Sequence, residues 1–111
     1  TLQIPTTLPT LDELLGRSDF PEGLIVGHYV RLLQPESPNV LTVHAEIEGM
    51  QKAELFEQLL EQCKTAGVTF SIMEDIAHRL LQNRDAVPVC AVEEGSVDGR
   101  SGFLANQRIA A

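Results

Sequence analysis

The chain has 111 residues, of which 43% are hydrophobic and 5% aromatic, and its formal net charge at pH 7 is -8. This length accommodates one domain or part of one, and the apolar fraction is that of a folded protein. The charge argues against a nucleic-acid-binding surface, because the eight Lys and Arg residues are scattered and form no patch dense enough to neutralise phosphates.

Signals for membrane insertion, secretion and disulfide bonding are missing from the sequence. No apolar run approaches the roughly 20 residues that span a bilayer, and no signal peptide opens the chain. Cys63 and Cys90 form no CxxC pair, which favours reduced thiols in a cytoplasmic protein. The chain does not begin with Met, and its first residues resemble a strand, so we expect it to be a piece of a longer protein.

The first predicted elements are a strand end and two helices. Residues 2–4 form a short apolar segment that Pro5 stops. Thr10 and Glu13 have the spacing of a capping box, which predicts the start of a short helix. A second helix start is predicted at Asp19, and apolar residues at intervals of about 3.6 continue the helix until Pro35.

Residues 40–47 are predicted to form a buried strand with a polar carboxyl end. Val40 to Val43 are β-favouring residues, and His44, Glu46 and Glu48 follow at period two. Alternate side chains of a strand share a face, so these three polar groups are predicted to point the same way. Ligands in α/β folds bind beyond the carboxyl ends of strands, which makes this segment the first candidate site.

The second half of the chain continues the alternation of helices and strands. A helix is predicted over residues 51–66 and ends at Gly67. A strand at 68–72, a helix at 74–82 and a short strand at 87–92 follow, and residues 93–111 form a turn-rich tail. This order predicts an α/β fold with parallel strands and crossover helices, matching the carboxyl-terminal portion of a (β/α) barrel.

His44 has three interpretations from the residues alone. It could ligate a metal, act as a general acid or base at a strand end, or be a histidine that only bonds the backbone. Residues two apart on a strand are separated by about 6–7 Å, which argues against one cation binding His44, Glu46 and Glu48 together.

His28 and His78 are predicted to be partly exposed. Arg100 lies between Gly99 and Gly102, where it could hold a phosphate or project into solvent.

Four blocks of the sequence resemble a family of bacterial enzymes, in the same order along the chain. The blocks are Gln3-Ile4-Pro5-Thr6-Thr7-Leu8-Pro9-Thr10-Leu11-Asp12-Glu13-Leu14-Leu15-Gly16-Arg17, Val43-His44-Ala45-Glu46-Ile47-Glu48-Gly49-Met50, Ala66-Gly67-Val68-Thr69-Phe70 and Gly99-Arg100-Ser101-Gly102-Phe103-Leu104. They resemble the deformylases that act on 4-deoxy-4-formamido-L-arabinose-phosphoundecaprenol. These enzymes belong to the polysaccharide deacetylase, or NodB-like, superfamily, which has a distorted (β/α) barrel and a divalent metal.

The resemblance implies roles for particular residues. Leu41-Thr42-Val43-His44 resembles the last superfamily motif, in which the His is the general acid and the Leu walls the acyl pocket. By this resemblance, His44 is the expected catalytic residue and Leu41 an expected substrate-binding residue. Glu46 and Arg100 are predicted as further substrate-binding residues, without a role that the resemblance assigns. The family's metal-binding residues lie in the amino-terminal half, so residues 1–111 correspond to the carboxyl-terminal part of the domain. We expect this chain alone to bind none of the metal (Mn, Zn or Co) that the complete enzyme uses.

The function implied by the resemblance is metal-dependent deformylation of undecaprenyl-phosphate 4-formamido-arabinose. That reaction belongs to the aminoarabinose modification of lipid A, which gives resistance to polymyxin. The expected location is the cytoplasmic face of the inner membrane, with peripheral membrane contact. The expected partners are the lipid-linked sugar and the missing amino-terminal barrel half. The alternative is a small non-catalytic α/β module that regulates or binds another subunit.

Overall fold

A computed structural model describes residues 1–109, which divide into two compact units. One unit is the continuous segment Pro5–Phe70, and the other combines Thr1–Ile4 with the chain from Ser71 onward. Both helices and strands are present, which confirms that part of the predicted fold class.

The unit Pro5–Phe70 is helical and contains the buried core. Its elements are α1 (Leu11–Leu14), α2 (Glu22–Leu32), a π-helix (Ile47–Gln51) and α3 (Ala53–Thr65). Among residues 1–109, the buried apolar residues all lie within this unit: Leu8, Leu11, Leu14, Ile25, Tyr29, Leu59 and Cys63. The π-helix packs against both α1 and α3, and α2 packs against α3, so the four helices enclose one core.

The capping box predicted for α1 is confirmed. The backbone N–H of Thr10 donates to Glu13 Oε2 at 3.2 Å, and Glu13 is 6% exposed. This bond satisfies an N–H group that the first turn of a helix leaves unpaired. It directs Leu11 and Leu14 into the core and leaves Asp12 at the surface.

Helix α2 begins later than Asp19, because Asp19 has another partner. Arg17 donates to both carboxylate oxygens of Asp19, at 3.0 and 2.7 Å, and this bonding lowers the pKa of Asp19. Pro21 occupies the position before the helix instead. Ile25 and Tyr29, four residues apart on one helix face, are 1% and 2% exposed, as the predicted helical periodicity requires.

Helix α3 confirms the helix predicted over residues 51–66. Leu59 and Cys63 are buried on its inner face, and burial raises the pKa of the Cys63 thiol. Gly67 ends the helix with a φ of +83°, a left-handed conformation that other residues adopt only with strain. Cys63 and Cys90 form no disulfide.

The strand predicted over residues 40–47 is wrong. Val40 accepts N–H groups of Thr7 and Leu8 at 2.9 and 3.0 Å, but no strand ladder follows. The chain turns at residues 45–46 and then enters the π-helix, whose Ile47 C=O accepts the N–H of Lys52 at 2.7 Å. His44, Glu46 and Glu48 therefore share no strand face. The composition of residues 40–43 favoured a strand, but bonds of the following residues to the His44 backbone favour a turn.

The second unit contains helix α4 (Met73–Leu81), a 3₁₀ turn (Arg84–Ala86) and a β-hairpin. Helix α4 agrees with the helix predicted at 74–82, although none of its residues is fully buried. The hairpin pairs β1 (Cys90–Gly95) with β2 (Leu104–Ile109) in antiparallel register, with Cys90 opposite Ile109. None of the helices within residues 1–109 has the length and apolarity needed to cross a bilayer.

The sheet within residues 1–109 is this two-stranded antiparallel hairpin. The strands predicted at 2–4 and 68–72 are wrong, because neither segment joins a ladder. The strand predicted at 87–92 starts and ends three residues later than expected, as β1. Within the predicted tail, the turns lie between the strands, where Gly99 and Gly102 have positive φ, and β2 follows them. Parallel strands and a barrel are not seen in the described part of the chain.

Candidate functional site

His44 lies in a turn whose backbone is held on both sides. Its N–H donates to Glu48 Oε2 at 2.9 Å, and its C=O accepts the N–H groups of Ile47 and Glu48, each at 3.0 Å. The imidazole is half-buried, with 38% of the side chain exposed. The backbone of His44 is therefore fixed, while its ring can still reach a ligand at the surface.

Asp12 is the carboxylate nearest to the His44 ring. Its Oδ1 lies 4.0 Å from His44 Nδ1, and both side chains are partly exposed. This distance is too long for a direct hydrogen bond, and Nδ1 has no hydrogen-bond partner in residues 1–109. A carboxylate at this position attracts the protonated imidazole, and solvent screens that attraction. The sequence pattern does not predict this pair, because its only indication for Asp12 is a position in the first turn of a helix.

Two buried glutamates stabilise the two turns that present Asp12 and His44. Glu13 accepts the Thr10 N–H at the start of α1, and Glu48 accepts the His44 N–H before the π-helix. The two glutamates are 6% and 4% exposed. Each carboxylate thus caps a turn from the core side. The π-helix contacts α1, which brings the two capped turns together.

A small cavity lies beneath this arrangement and is too small to be a substrate pocket. Its volume is about 10 Å³, which leaves room for one water at most. Leu41, Tyr29 and Glu48 line it together with core residues from α1, α2 and α3. The Tyr29 hydroxyl donates to the Pro9 C=O at 2.7 Å. Any substrate contact of His44 must therefore be made from the solvent side of the ring.

The other predicted site residues are dispersed. Leu41 is half-buried at the cavity wall, three residues before His44. Glu46 is exposed on the turn, and Arg100 is exposed in the hairpin loop of the second unit. His28 is half-buried against the Phe20 ring, with centroids 4.6 Å apart, and His78 is exposed on α4. Leu41 thus lies close to His44 at the candidate site, while Glu46 points to solvent.

The residues described here do not make a metal centre. No group of three or more His, Cys, Asp or Glu side chains within residues 1–109 could hold a metal ion. The Asp12 and His44 pair supplies two potential ligands, whereas catalytic zinc sites use three protein ligands. The divalent metal implied by the superfamily therefore does not fit the described residues alone.

The pKa of Tyr29 provides a test of whether Tyr29 is buried near Glu13 and Glu48. Burial, with the carboxylates of Glu48, Glu13 and Asp12, raises the pKa of Tyr29 well above its usual 10.0. Because the folded pKa exceeds the unfolded one, this contribution to stability is complete below pH 10 and is lost as the pH rises further. The melting temperature should fall more steeply above pH 10 for the native chain than for Tyr29→Phe.

The same effect can be followed by absorbance, because Tyr29 is the one tyrosine in the sequence. Tyrosinate should form at a higher pH in the folded chain than in the chain unfolded by urea. Coincident titration curves would show that Tyr29 is not buried beside these carboxylates.

Sequence comparison identifies relatives that are deformylases by name. The chain is 38% identical over 106 residues to the probable 4-deoxy-4-formamido-L-arabinose-phosphoundecaprenol deformylase ArnD of Shewanella sediminis (strain HAW-EB3). It is 30% identical over 109 residues to the protein of the same name from Wigglesworthia glossinidia brevipalpis. These matches cover 95% and 97% of this chain. No protein-family model matches.

The resemblance predicted from the four sequence blocks is confirmed by these two relatives. The chain spans about a third of their length, namely 33% and 37%. The similarity therefore concerns a limited part of each relative, and it extends over nearly all of this chain.

Proposed function

We propose that the chain is part of a deformylase that hydrolyses the formamide of a lipid-linked 4-formamido-arabinose. The observation that carries this proposal is the similarity to two ArnD deformylases over 95% or more of the chain. The geometry supports it, because His44 is fixed in a capped turn, half-exposed, and next to Asp12. A histidine so placed can give a proton to a substrate at the surface.

The role we assign to His44 is general-acid catalysis at the leaving nitrogen. In formamide hydrolysis, the oxygen of water adds to the formyl carbon and the C–N bond breaks. The nitrogen takes a proton from the imidazolium and leaves as the sugar amine, and formate is released. Of the two protons of the water, one would return to the imidazole and the other would pass to solvent. Asp12 would hold the protonated ring in place by charge attraction across their 4.0 Å separation. Leu41 would present an apolar wall to the small acyl group.

The metal of the complete enzyme is proposed to lie outside this segment. A divalent Mn, Zn or Co ion fits the superfamily, but residues 1–109 offer no group of three ligands for it. We propose that the remainder of the complete protein holds the metal. We propose in addition that this remainder supplies the parallel strands of a (β/α) barrel. The exposed apolar side chain of Val43 is compatible with a contact to that remainder.

The cellular role follows from the proposed substrate. Deformylation of an undecaprenyl-linked sugar would serve the aminoarabinose modification of lipid A and resistance to polymyxin. The enzyme would act at the cytoplasmic face of the inner membrane by peripheral contact, since its substrate carries a lipid tail. Glu46 and Arg100 remain predicted substrate-binding residues, and the exposure of both side chains is compatible with that role.

The second candidate function is a non-catalytic module that binds another subunit. One observation favours it: the hairpin exposes apolar side chains on one face. Val92 and Ile109 are 63% and 70% exposed, and their register places them on the same side of the sheet. An unrelated domain encoded next to this segment would favour the module over the enzyme.

Formate release tests the proposal directly. The complete gene product should release formate from the lipid-linked formamido sugar in the presence of Mn, Zn or Co. Residues 1–111 alone should give no more formate than the metal-only blank, since they lack a metal centre. An inactive complete protein would reject the deformylase assignment. Activity of residues 1–111 would instead reject the placement of the metal outside this segment.

A further inference from the structure

The side chain of Glu48 folds back from the π-helix to the turn that carries His44. Glu48 is 4% exposed, so its carboxylate lies within the core. Its Oε2 accepts the His44 N–H at 2.9 Å. Its Oε1 is also buried, and it has no hydrogen-bond partner within residues 1–109. One oxygen of this carboxylate thus accepts a hydrogen bond from the backbone of the proposed catalytic residue.

The surroundings of Glu48 are those of an apolar side chain. The cavity next to it is lined by Leu41, Ile25, Leu55 and other core residues. Transferring a carboxylate into such surroundings is unfavourable unless hydrogen bonds compensate for the lost water. An apolar side chain of the same length would fill this space without that penalty. The distinguishing contribution of the carboxylate is therefore its bond to His44.

The position of the imidazole depends on this bond. The His44 C=O is already held by two N–H groups of the following turn, and Glu48 holds the N–H on the other side. Together these bonds fix the direction in which the side chain leaves the backbone. Without the bond to the N–H, the residue could rotate, and the ring would lose its place 4.0 Å from Asp12.

We propose that Glu48 is a positioning residue for His44. It holds the turn so that the imidazole faces both Asp12 and the substrate, and it makes no contact with the substrate itself. The consequence for activity rests on the proposed deformylase function, whereas the consequence for the His44 backbone does not. A π-helix at this point agrees with the frequent occurrence of such turns at functional sites.

Two substitutions of similar size separate positioning from packing. Glu48→Gln keeps an oxygen that can accept the His44 N–H, while Glu48→Met fills the same space without that acceptor. Glu46→Ala removes an exposed carboxylate from the same turn and serves as the control for the hydrogen-exchange measurement only. Replacing a buried charge by an apolar group is often neutral or stabilising, so Glu48→Met should melt no lower than the native chain.

The first measurement is amide hydrogen exchange at His44 in the 111-residue chain. Exchange should be about 10–100-fold faster in Glu48→Met, the factor for losing one hydrogen bond to a charged group. Exchange in Glu48→Gln and Glu46→Ala should stay close to that of the native chain. Cys63, in the core of α3, is the reference amide and should be unaffected.

The second measurement is the kinetics of the complete enzyme. Glu48→Met should lower kcat by about 100-fold with little change in KM, as expected for a misplaced catalytic group. Glu48→Gln should restore most of the activity. Unchanged His44 exchange in Glu48→Met, or loss of exchange protection throughout the unit, would overturn the positioning role. If the complete enzyme proves inactive as a deformylase, the exchange result at His44 still decides whether Glu48 holds the turn.

Discussion

Replacing His44 with Ala in the complete enzyme should lower kcat by about 10²–10⁴-fold, the contribution of a positioned general acid. An amine is a poor leaving group unless it is protonated, and His44 is the half-exposed donor at the candidate site. The falling alkaline limb of the pH–rate profile should disappear, because that limb reports loss of the acidic proton. The bound metal should remain at the native level. Steady-state kinetics across pH and metal analysis provide the measurements.

His78→Ala is the matched control for this substitution. His78 is exposed on α4 in the second unit, and its replacement should leave kcat unchanged. Loss of bound metal in His44→Ala would make His44 a ligand rather than an acid. Full activity with a lowered melting temperature would make it a histidine whose role is structural.

Replacing Ile25 with Ala in the 111-residue chain should lower the free energy of unfolding by about 2–5 kcal/mol. Ile25 is 1% exposed and packs in the core with Leu11, Tyr29 and Leu59, so its removal leaves a cavity. Native proteins are stable by only about 5–15 kcal/mol, so this loss is a large share of the total. Urea unfolding followed by far-ultraviolet circular dichroism measures it.

The neighbouring residue provides the comparison. Leu24 is of the same size but 61% exposed, and Leu24→Ala should change the free energy of unfolding by less than about 0.5 kcal/mol. Equal losses at the two positions would show that α2 presents a different face to the core than the structure indicates.

The helices could be predicted from the sequence because their signals are local. The apolar spacing of α2, α3 and α4 and the Thr10–Glu13 capping box lie within single turns of the chain. Strands depend on partners that are remote in sequence. Residues 40–43 have the composition of a strand but no ladder partner in residues 1–109, and the paired residues of β1 and β2 are 9 to 19 positions apart. Such pairing cannot be read from composition.

The candidate site shows the same difference between local signals and contacts that depend on the fold. His44 could be named from its position after an apolar run and from the resemblance, and the structure leaves it half-exposed. Asp12 could not be predicted as a site residue, since it approaches His44 only through the packing of α1 against the π-helix. The strand prediction places Glu48 and Glu46 on one face. The actual turn sends Glu46 to solvent and Glu48 into the core, and this contrast became visible only in three dimensions.

The hydrogen bond between Gln107 and Gln3 has a consequence for the order of folding. It joins residues 104 positions apart, at 3.3 Å, and both belong to the unit built from the two ends of the chain. The other unit is one uninterrupted segment, Pro5–Phe70, whose contacts close much shorter loops. During synthesis, that segment can complete its core while Gln107 has not yet been added to the chain. Of the two units of this chain, the one that contains the His44 turn is therefore able to fold before the other.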